Sequence, residues 1–190
     1  KGDMLFCLAP YCKNEEYKNY FKNQSKYKII DNGIIEKQII PLHDMVQYAF
    51  EIKADEMIIP DVLGEYDITK NQRYKFLKKY YKEFKKRGIK LMSVIQGKNL
   101  EQYQKNFNEL NKDNRIDVIG LPYRMNFLSD IGTYTDIYRM MSRYIFVKYV
   151  NSKYNKHKPI HLLGSNSIKE MLMLSKLHNV RSCDSKIISR

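Results

Sequence analysis

The chain has 190 residues and a mass of 22.8 kDa, the size of a single domain, which we expect to span residues 1–190. Its net charge of +13 indicates a polyanionic partner such as nucleic acid, although the codons of an AT-rich genome would also supply many lysines. No stretch reaches the roughly 18 consecutive apolar residues of a membrane span, and the first residues lack the long apolar region of a signal peptide. We therefore expect a soluble, cytoplasmic protein with no membrane partner, in the host cytoplasm if a phage encodes it.

Seven short apolar runs predict β-strands, and longer amphipathic segments separate them. Most runs are apolar at consecutive positions, which is typical of parallel strands covered on both faces. The predicted strands are Met4–Ala9, Lys28–Asp31, Glu56–Asp61, Lys90–Gln96, Ile116–Leu121, Pro159–Gly164 and Val180–Asp184. The predicted helices are Asn14–Phe21, His43–Lys53, Asp67–Arg87, Asn99–Leu110, Thr133–Tyr154 and Ser165–Leu177, and Gly88 is expected to end the third.

Three of these helices show an apolar stripe that predicts their buried face. The stripes are Met45, Val46, Ala49, Phe50 and Ile52 in the second helix, Tyr74, Leu77, Tyr81 and Phe84 in the third, and Ile137, Met140, Met141, Tyr144 and Val147 in the longest. Lysines alternate with tyrosines between Tyr74 and Lys86, which indicates either an amphipathic helix with solvated lysines or a nucleic-acid-binding face with stacking aromatics. The core spacing of the tyrosines favours the amphipathic helix.

The alternation of strands and helices predicts an α/β fold of parallel βαβ units. About seven strand–helix units are recognisable, whereas a closed (β/α) barrel has eight. We therefore expect a TIM-like (β/α) barrel that is incomplete, with about seven strands, and a doubly wound open sheet is the alternative. No GxGxxG follows the first strand and no GxxxxGK[ST] occurs, so the nucleotide-binding versions of the open sheet lack support.

The three cysteines indicate neither a disulfide scaffold nor a metal site. Cys7 and Cys12 are five residues apart with Pro10 between them and no histidine nearby, unlike the paired ligands of zinc sites. We expect Cys7 and Cys183 to be small buried residues within strands. The sequence predicts no metal and no cofactor.

Polar residues and glycines follow the apolar part of nearly every predicted strand. These strand ends carry Asp31-Asn32-Gly33, Asp61, Gln96-Gly97, Gly120-Leu121, His161 to Gly164, and Asp184. Functional sites of parallel α/β folds lie at the carboxyl ends of the strands, so we expect Asp31, Asp61, Gln96 and Asp184 to converge on one mouth. Any single aspartate could instead be a turn or helix-capping residue, but three in register with a glutamine favour a site.

Carboxylates in this arrangement suit the cleavage of an N-glycosidic bond. One carboxylate attacks or stabilises the anomeric carbon, and a second handles the protons of the departing base. The N1–H and N2 amine of a guanine-like base suit a carboxylate such as Asp61, and its O6 suits the Gln96 amide or the Gly120 N–H. Nothing in the sequence resembles a Ser-His-Asp arrangement. His161 lies inside a strand, so we interpret it as a structural histidine in preference to a catalytic base.

At these strand ends the sequence resembles the tRNA-guanine transglycosylase superfamily, which includes phage and bacterial relatives that insert 7-deazaguanines into DNA. The resemblance covers about residues 31–184, most of the chain. Its elements, in the family's order, are IIDNG (29–33), IIPD (58–61), VIQG (94–97), IGLP (119–122), HLLG (161–164) and RSCDS (181–185). Each element alone is weakly specific, whereas six in this order at strand ends are fairly specific.

The resemblance implies a mechanism and a set of site residues. Asp184 matches the nucleophile that forms a covalent glycosyl intermediate while guanine leaves, and Asp31 matches the general acid/base. The residues matching those that read the base are Asp61, Gln96 and, through their backbones, Gly120 and Leu121, and the further candidates for substrate contact are Asn32, Gly33, Gly97, His161 and Gly164. A 7-deazaguanine then attacks the intermediate, which gives ping-pong exchange without an energy cofactor.

Three departures from the family's pattern concern the substrate. The chain ends a few residues after Asp184, where tRNA enzymes carry a Cys/His zinc subdomain, so we expect this subdomain and an eighth strand to be missing. The family's DSGGF-like element reads DNGII here, so Ile34 or Ile35 replaces the aromatic that stacks on the base. The glutamate that usually follows the Gly-Leu element is absent, because Pro122-Tyr123-Arg124 follows Leu121.

The compact form is similar to the DNA-modifying relatives, so we expect exchange of guanine for a 7-deazaguanine in DNA, with tRNA as the second polymer. A homodimer is the assembly that the resemblance suggests, because family members often pair. Two alternatives remain open: an N-glycosidase or a base exchanger acting on free nucleosides or nucleotides, and a non-catalytic nucleic-acid-binding module on the same scaffold. The presence of both Asp31 and Asp184 favours an enzyme.

Overall fold

The computed structural model describes residues 4–33, 40–128, 136–165 and 167–184. Strands and helices alternate through them. The strands are β1 Met4–Leu8, β2 Tyr27–Asp31, β3 Glu56–Ile58, β4 Lys90–Val94, β5 Val118–Leu121, β6 Ile160–Leu162 and β7 Val180–Cys183. The helices are α1 Glu15–Lys22, α2 Leu42–Glu51, α3 Tyr66–Arg87, α4 Leu100–Lys112, α5 Asp136–Lys153 and α6 Ile168–Ser175, and a 3-10 helix, Ala9–Lys13, follows β1.

The strands are hydrogen-bonded in sequence order, β1-β2-β3-β4-β5-β6-β7. Pairing is parallel, with Leu8 opposite Asp31 and Leu121 opposite Leu162. The α/β class, the parallel sheet and every predicted strand and helix are confirmed, with ends displaced by a few residues. Doubly wound sheets reverse the strand order at a switch point, whereas (β/α) barrels keep it sequential, so the order of this sheet contradicts the open-sheet alternative.

The chain divides into two compact units, and the first comprises Lys1–Pro60 and Asn71–Met92. Its core contains Ile29, Ile30, Met45, Ala49, Ile52, Met57, Ile58, Phe76 and Phe84. The Phe84 ring centroid lies 5.1 Å from that of Phe50 and 5.5 Å from that of Phe76, within the range in which aromatic pairs attract each other. The Arg87 guanidinium lies 4.1 Å from the Phe50 ring centroid and covers the edge of this cluster.

The second unit comprises Asp61–Lys70 and Ser93–Arg190. Its core includes Val94, Ile95, Phe107, Leu110, Ile119, Phe146, Val150 and Ile160. Asn99 caps the start of helix α4, and its side chain accepts a hydrogen bond of 2.9 Å from the Gln102 N–H, the usual role of asparagine at this position. Lys158 Nζ donates to the carbonyls of Leu110 (2.6 Å) and Asp113 (2.5 Å) and so satisfies the other end of the helix. The expectation of one domain over residues 1–190 stays a prediction.

The predicted buried stripes are confirmed for α2, apart from half-buried Phe50, but only in part for α3 and α5. Tyr74 of α3 is 61% exposed, and Phe76 occupies a core position instead. Ile137 of α5 is 62% exposed, and the stripe is wrong there. The buried face of α5 consists of Arg139, Ser142, Arg143, Phe146, Val147 and Val150. Three of these residues are polar, and a search for apolar periodicity cannot recognise a buried face that contains polar side chains.

Other local predictions have mixed outcomes. Gly88 ends α3 with a φ of +69°, as predicted, because a left-handed residue after a helix favours glycine. Cys7 is buried in β1 as expected, whereas Cys183 in β7 is only half-buried. Among the described residues no helix combines the length and the apolar character that crossing a bilayer requires.

Candidate functional site

The carboxylate of Asp184, immediately after β7, is held through one oxygen. Its Oδ1 atom accepts hydrogen bonds from His161 Nε2 (3.2 Å) and from the Gly164 backbone N–H (3.0 Å). The backbone is fixed as well, because Asp184 N donates to Leu162 O (3.2 Å) and Ser165 N donates to Asp184 O (2.8 Å). The side chain remains 22% exposed. A carboxylate that is oriented on one oxygen and still reachable from solvent suits a nucleophile or a base.

His161, in the middle of β6, is fully buried and uses both ring nitrogens. Its Nδ1 lies 2.8 Å from Ser182 Oγ, while Nε2 faces Asp184. Arg181 Nε donates to the same Ser182 oxygen at 3.1 Å. With the carboxylate as acceptor, Nε2 carries the proton and Nδ1 accepts the hydroxyl hydrogen of Ser182. The burial and the two hydrogen bonds of His161 agree with its interpretation as a structural histidine, and contact of this residue with a substrate stays a prediction.

Ser182, His161 and Asp184 thus form a hydrogen-bonded chain, and the expectation that nothing resembles a Ser-His-Asp arrangement was wrong. A register shift between β6 and β7 creates the chain: Ile160 pairs with Val180, but His161 pairs with Ser182. A shift of one residue moves a side chain to the opposite face of a sheet, so the irregularity brings Ser182 and His161 onto one face. The ring nitrogens are used in the opposite sense from serine hydrolases, in which serine contacts Nε2 and aspartate contacts Nδ1.

A buried ion pair supports the loop that follows β6. Arg143 and Glu170 have side chains 0% and 2% exposed, and Arg143 Nε and Nη2 donate to Glu170 Oε1 at 2.8 and 2.5 Å. Arg143 Nη1 also donates to Leu163 O (2.8 Å), and Ser165 Oγ donates to Glu170 Oε2 (2.9 Å). Burial lowers the pKa of the Arg143 guanidinium, and the Glu170 carboxylate opposes this effect. The pair fixes both neighbours of Gly164, whose N–H contacts Asp184.

Gly164 is restricted to glycine by its backbone and by a neighbour. Its φ is +61°, and a Cβ atom here would lie 3.1 Å from Tyr123 Cβ. Tyr123 follows β5, and its ring centroid lies 3.4 Å from the guanidinium carbon of Arg139. The aromatic residue of this strand end is thus held between a glycine beside Asp184 and an arginine. Sequence reasoning identified Gly164 but not Tyr123, Arg139, Arg143 or Glu170, since their pairings link distant segments of the chain.

Asp61 and Gln96, which the sequence predicted as partners in one site, are in direct contact. Gln96 Nε2 donates to Asp61 Oδ2 at 2.6 Å, and Gln96 Oε1 accepts from the Gly64 N–H at 2.9 Å. Both residues are buried, with 7% of Asp61 and 2% of Gln96 exposed. Asn106 Nδ2 also donates to the Gln96 carbonyl at 3.2 Å. The contacts orient the Gln96 amide and one carboxylate oxygen of Asp61, and contact of these two side chains with a base stays a prediction.

The remaining predictions in the second unit fall on backbone positions. Gly97 is required sterically, because a Cβ there would lie 2.8 Å from Gln102 Cβ at the start of α4. Gly120 and Leu121 are buried in β5, where the Gly120 carbonyl accepts from Ile95 N (3.0 Å) and the Leu121 carbonyl accepts from Leu163 N (3.0 Å). Their carbonyls therefore belong to the sheet, and contact of these residues with a base stays a prediction.

Asp31, Asn32 and Gly33 belong to the first unit and lie at the end of β2. Asp31 Oδ2 accepts a hydrogen bond of 3.1 Å from the Gly33 N–H, and Gly33 has a φ of +67°. The carboxylate thus forms a local turn, the structural role that a single aspartate at a strand end commonly has. The acid/base role of Asp31 stays a prediction. Ile34, Ile35 and Ser185, which belong to the family elements, lie outside the described residues.

The sequence matches no protein-family model, and it has no significant match among curated proteins.

Proposed function

We propose that the chain is a base-exchange transglycosylase that replaces guanine by a 7-deazaguanine in nucleic acid, with DNA ahead of tRNA as the polymer. The observation that carries this proposal is the Asp184 carboxylate, held on Oδ1 by His161 and Gly164 while its side chain is reachable. The resemblance of six strand-end elements to the tRNA-guanine transglycosylase superfamily supports the same role for Asp184. The sequential strand order supports a TIM-like (β/α) barrel, of which seven strands are described.

In the first half-reaction the second oxygen of Asp184, Oδ2, attacks the anomeric carbon C1′ of the guanosine residue. A C1′–Oδ2 bond forms, the C1′–N9 bond breaks, and its electron pair leaves with the base, which takes up one proton. Two donors on Oδ1 favour this geometry, since they orient the carboxylate without occupying Oδ2. They also stabilise the negative charge that returns to Asp184 when the intermediate is resolved.

In the second half-reaction the incoming 7-deazaguanine loses its N9 proton, and N9 attacks C1′. The C1′–Oδ2 bond breaks, and the carboxylate is restored, so no energy source or cofactor is consumed. Protons taken up and released by the two bases balance across the cycle. The resemblance assigns their transfer to Asp31, and it assigns base recognition to Asp61 and Gln96, whose mutual hydrogen bond would orient an acceptor and a donor toward the N1–H, N2 and O6 edge of guanine.

The proposal is tested by trapping the covalent intermediate. The protein is incubated with guanine-containing DNA or tRNA, quenched with acid and measured by intact-mass spectrometry. We expect a nucleic-acid adduct on the wild type and none on Asp184→Asn or Asp184→Ala, with circular dichroism verifying that both variants fold. An adduct of undiminished yield on these variants would exclude Asp184 as the nucleophile.

Cys183→Ser is the matched control, because the Cys183 thiol is a second nucleophilic group directly next to Asp184 in the chain. Burial raises the pKa of the Cys183 thiol, and the neighbouring Asp184 raises it further, so the reactive thiolate is disfavoured. We expect the adduct to form on Cys183→Ser as on the wild type.

Hydrolysis of the N-glycosidic bond is the second candidate function, favoured by the same fixed carboxylate. A carboxylate held on one oxygen can activate water as readily as it can attack carbon. Product analysis with a labelled 7-deazaguanine separates the two: incorporation of label indicates exchange, whereas free guanine and an abasic product without incorporation indicate hydrolysis.

A further inference from the structure

Helix α3 concentrates positive charge within the first unit. Between Asn71 and Arg87 it carries eight cationic residues and one acidic residue, a net charge of +7 within a chain of +13. The single acid, Glu83, pairs with Arg87 at 2.7 Å. The six lysines of this stretch are all exposed: Lys75, Lys78, Lys79, Lys82, Lys85 and Lys86. We refer to these six residues as the lysine face.

The lysine face occupies one side of the helix. With successive residues about 100° apart, its six members fall within an arc of about 120°. The opposite side is buried, with Phe76, Leu77 and Phe84 exposed by 1%, 3% and 0%. Tyr74, which is 61% exposed, borders the arc. The face is therefore an exposed charged surface opposite the buried side of the helix.

We propose that the lysine face binds the phosphate backbone of the nucleic acid on which the chain acts, an inference that rests on the proposed function. From Lys75 to Lys86 the face extends roughly 16 Å, at about 1.5 Å per residue. One strand of B-DNA advances about 3.4 Å per phosphate along the axis, so the face spans about five phosphates. Neighbouring lysines on a helix lie about 5–6 Å apart, which lets several of them contact phosphates at once.

A membrane surface fits this helix less well than a nucleic acid does. Helices that lie on membranes insert an apolar face beside their basic one. In the Asn71–Arg87 part of α3 the apolar side chains Phe76, Leu77 and Phe84 are buried within the protein, so none of them is available for insertion. Ile68 of α3 is 48% exposed, but one side chain is not the apolar face that insertion needs. Exposed Tyr74 suits stacking on a base or sugar at the edge of the charged surface.

The other helices do not offer an equivalent surface. Helix α4 alternates Glu101, Lys105, Glu109 and Lys112, so its charges cancel, and Glu109 pairs with Lys70 at 2.7 Å. Helix α5 carries net positive charge, but Arg139 and Arg143 are buried in it. The lysine face is therefore the densest exposed positive charge on the described helices.

The experiment measures binding of a fluorescent guanine-containing DNA duplex, and separately of tRNA, as the salt concentration is varied. Each phosphate contact contributes about 0.9 to the slope of log K against log salt for B-DNA. We expect Lys75→Gln/Lys78→Gln/Lys82→Gln to weaken binding and to reduce the slope by about 2–3. The triple variant Lys79→Gln/Lys85→Gln/Lys86→Gln tests the same face through its other members, and glutamine preserves the helix.

The matched control is Lys112→Gln/Lys156→Gln/Lys176→Gln, which removes three exposed lysines elsewhere and lowers the net charge equally. We expect its slope to change by less than about 1. Equal effects of the α3 and control variants would overturn the proposal, since net charge alone would then explain binding. Failure of the wild type to bind either polymer would also overturn it. So would polyglutamate that displaces the labelled nucleic acid as well as unlabelled nucleic acid does.

The outcome is separable from that of the proposed chemistry. Asp184→Asn should bind with the wild-type slope, because the lysine face is unchanged in it. Absence of any covalent adduct together with a reduced slope for the α3 variants would reject base exchange and retain the binding surface. A covalent adduct together with unchanged slopes for the α3 variants would retain base exchange and reject the binding surface.

Discussion

His161 Nε2 lies 3.2 Å from Asp184 Oδ1, although 23 positions separate the two residues in the chain. The parallel pairing of β6 and β7 brings them together, and the register irregularity at Ile160/His161 determines which side chain of β7 faces the imidazole. The ring nitrogen that contacts Ser182 decides which nitrogen is left to contact Asp184. The relationship makes His161 a positioning residue for the carboxylate.

We expect His161→Ala to slow adduct formation roughly 10- to 100-fold, because the carboxylate loses one of its two Oδ1 donors and is held less well for attack. Ser182→Ala should have a smaller effect, since Ser182 acts only through the ring. The measurement is the rate of adduct formation by quenched-flow mass spectrometry, alongside thermal unfolding. Equal rates in His161→Ala and the wild type would show that the contact is only structural.

Asp31 offers a test in which the turn and the acid/base role are separated. Asparagine can still accept the hydrogen bond from the Gly33 N–H but cannot exchange a proton, whereas alanine loses both functions. If Asp31 is the acid/base, Asp31→Asn should keep wild-type stability and slow base exchange by about 100-fold or more. Exchange at the wild-type rate in Asp31→Asn, with a loss only of stability in Asp31→Ala, would limit Asp31 to its turn.

Much of the fold follows from short-range patterns in the sequence. Parallel strands are covered on both faces, so runs such as Met57-Ile58-Ile59 are recognisable without knowing their neighbours, and Asn99 and Gly88 determine helix ends locally. The contact of Asp61 with Gln96 was predictable because consecutive parallel strands end at the same edge of a sheet.

The parts of the site that the sequence did not predict depend on long-range pairing. The Ser182–His161–Asp184 chain requires the β6–β7 register, and the Arg143–Glu170 pair places two charged residues where hydrophobic patterning expects apolar ones. Arg143 also shifted the buried face of α5 away from the predicted stripe. The one feature of the sequence that indicated buried charge in α5 was the weak apolar stripe of so long a helix, and this feature does not identify the partner of Arg143.

The steric restriction at Gly164 predicts that replacing it by alanine lowers the free energy of unfolding more than the same replacement at a left-handed glycine with open space around it. Gly164→Ala combines an unfavourable positive φ with a Cβ 3.1 Å from Tyr123, whereas Gly88→Ala has φ +69° and no atom within 4 Å of its Cβ. We expect a loss of about 1–2 kcal/mol in the free energy of unfolding for Gly88→Ala and a larger loss for Gly164→Ala. Only Gly164→Ala should also slow adduct formation. Identical losses in urea unfolding would indicate that Tyr123 moves aside.

The Arg143–Glu170 pair predicts a double-mutant result. Arg143→Met should lower the free energy of unfolding by about 3–5 kcal/mol, because Glu170 is left as a buried, unpaired charge. Arg143→Met/Glu170→Leu should recover part of this loss, since no charge then remains buried. Glu83→Gln breaks an exposed pair with Arg87, leaves the Arg87 guanidinium over Phe50, and should cost less than about 1 kcal/mol. If urea unfolding gives Arg143→Met the small cost of Glu83→Gln, the buried pair is not maintained in solution.

His157 predicts a loss of stability in mild acid. Burial lowers the pKa of its imidazole below the usual value, and the neighbouring His178 lowers it further. Nδ1 lies 2.8 Å from the Lys158 carbonyl, and Nε2 lies 2.8 Å from the Asn151 amide, whose nitrogen donates to it when the amide oxygen accepts from His178 N. Both contacts suit the neutral ring with its proton on Nδ1, and a second proton on Nε2 would face a donor.

The sign of the pH dependence follows from this pKa. The unfolded chain binds a proton at His157 near pH 6.5, where the folded chain does not, so stability is complete above about pH 6.5 and decreases as the pH falls toward the folded pKa. The slope is at most about 1.4 kcal/mol per pH unit. Urea unfolding between neutral and mildly acidic pH should show a smaller loss for His157→Gln than for the wild type. His43→Gln, on the exposed face of α2, should retain the wild-type dependence. An unchanged pH dependence in His157→Gln would assign the acid sensitivity to another group.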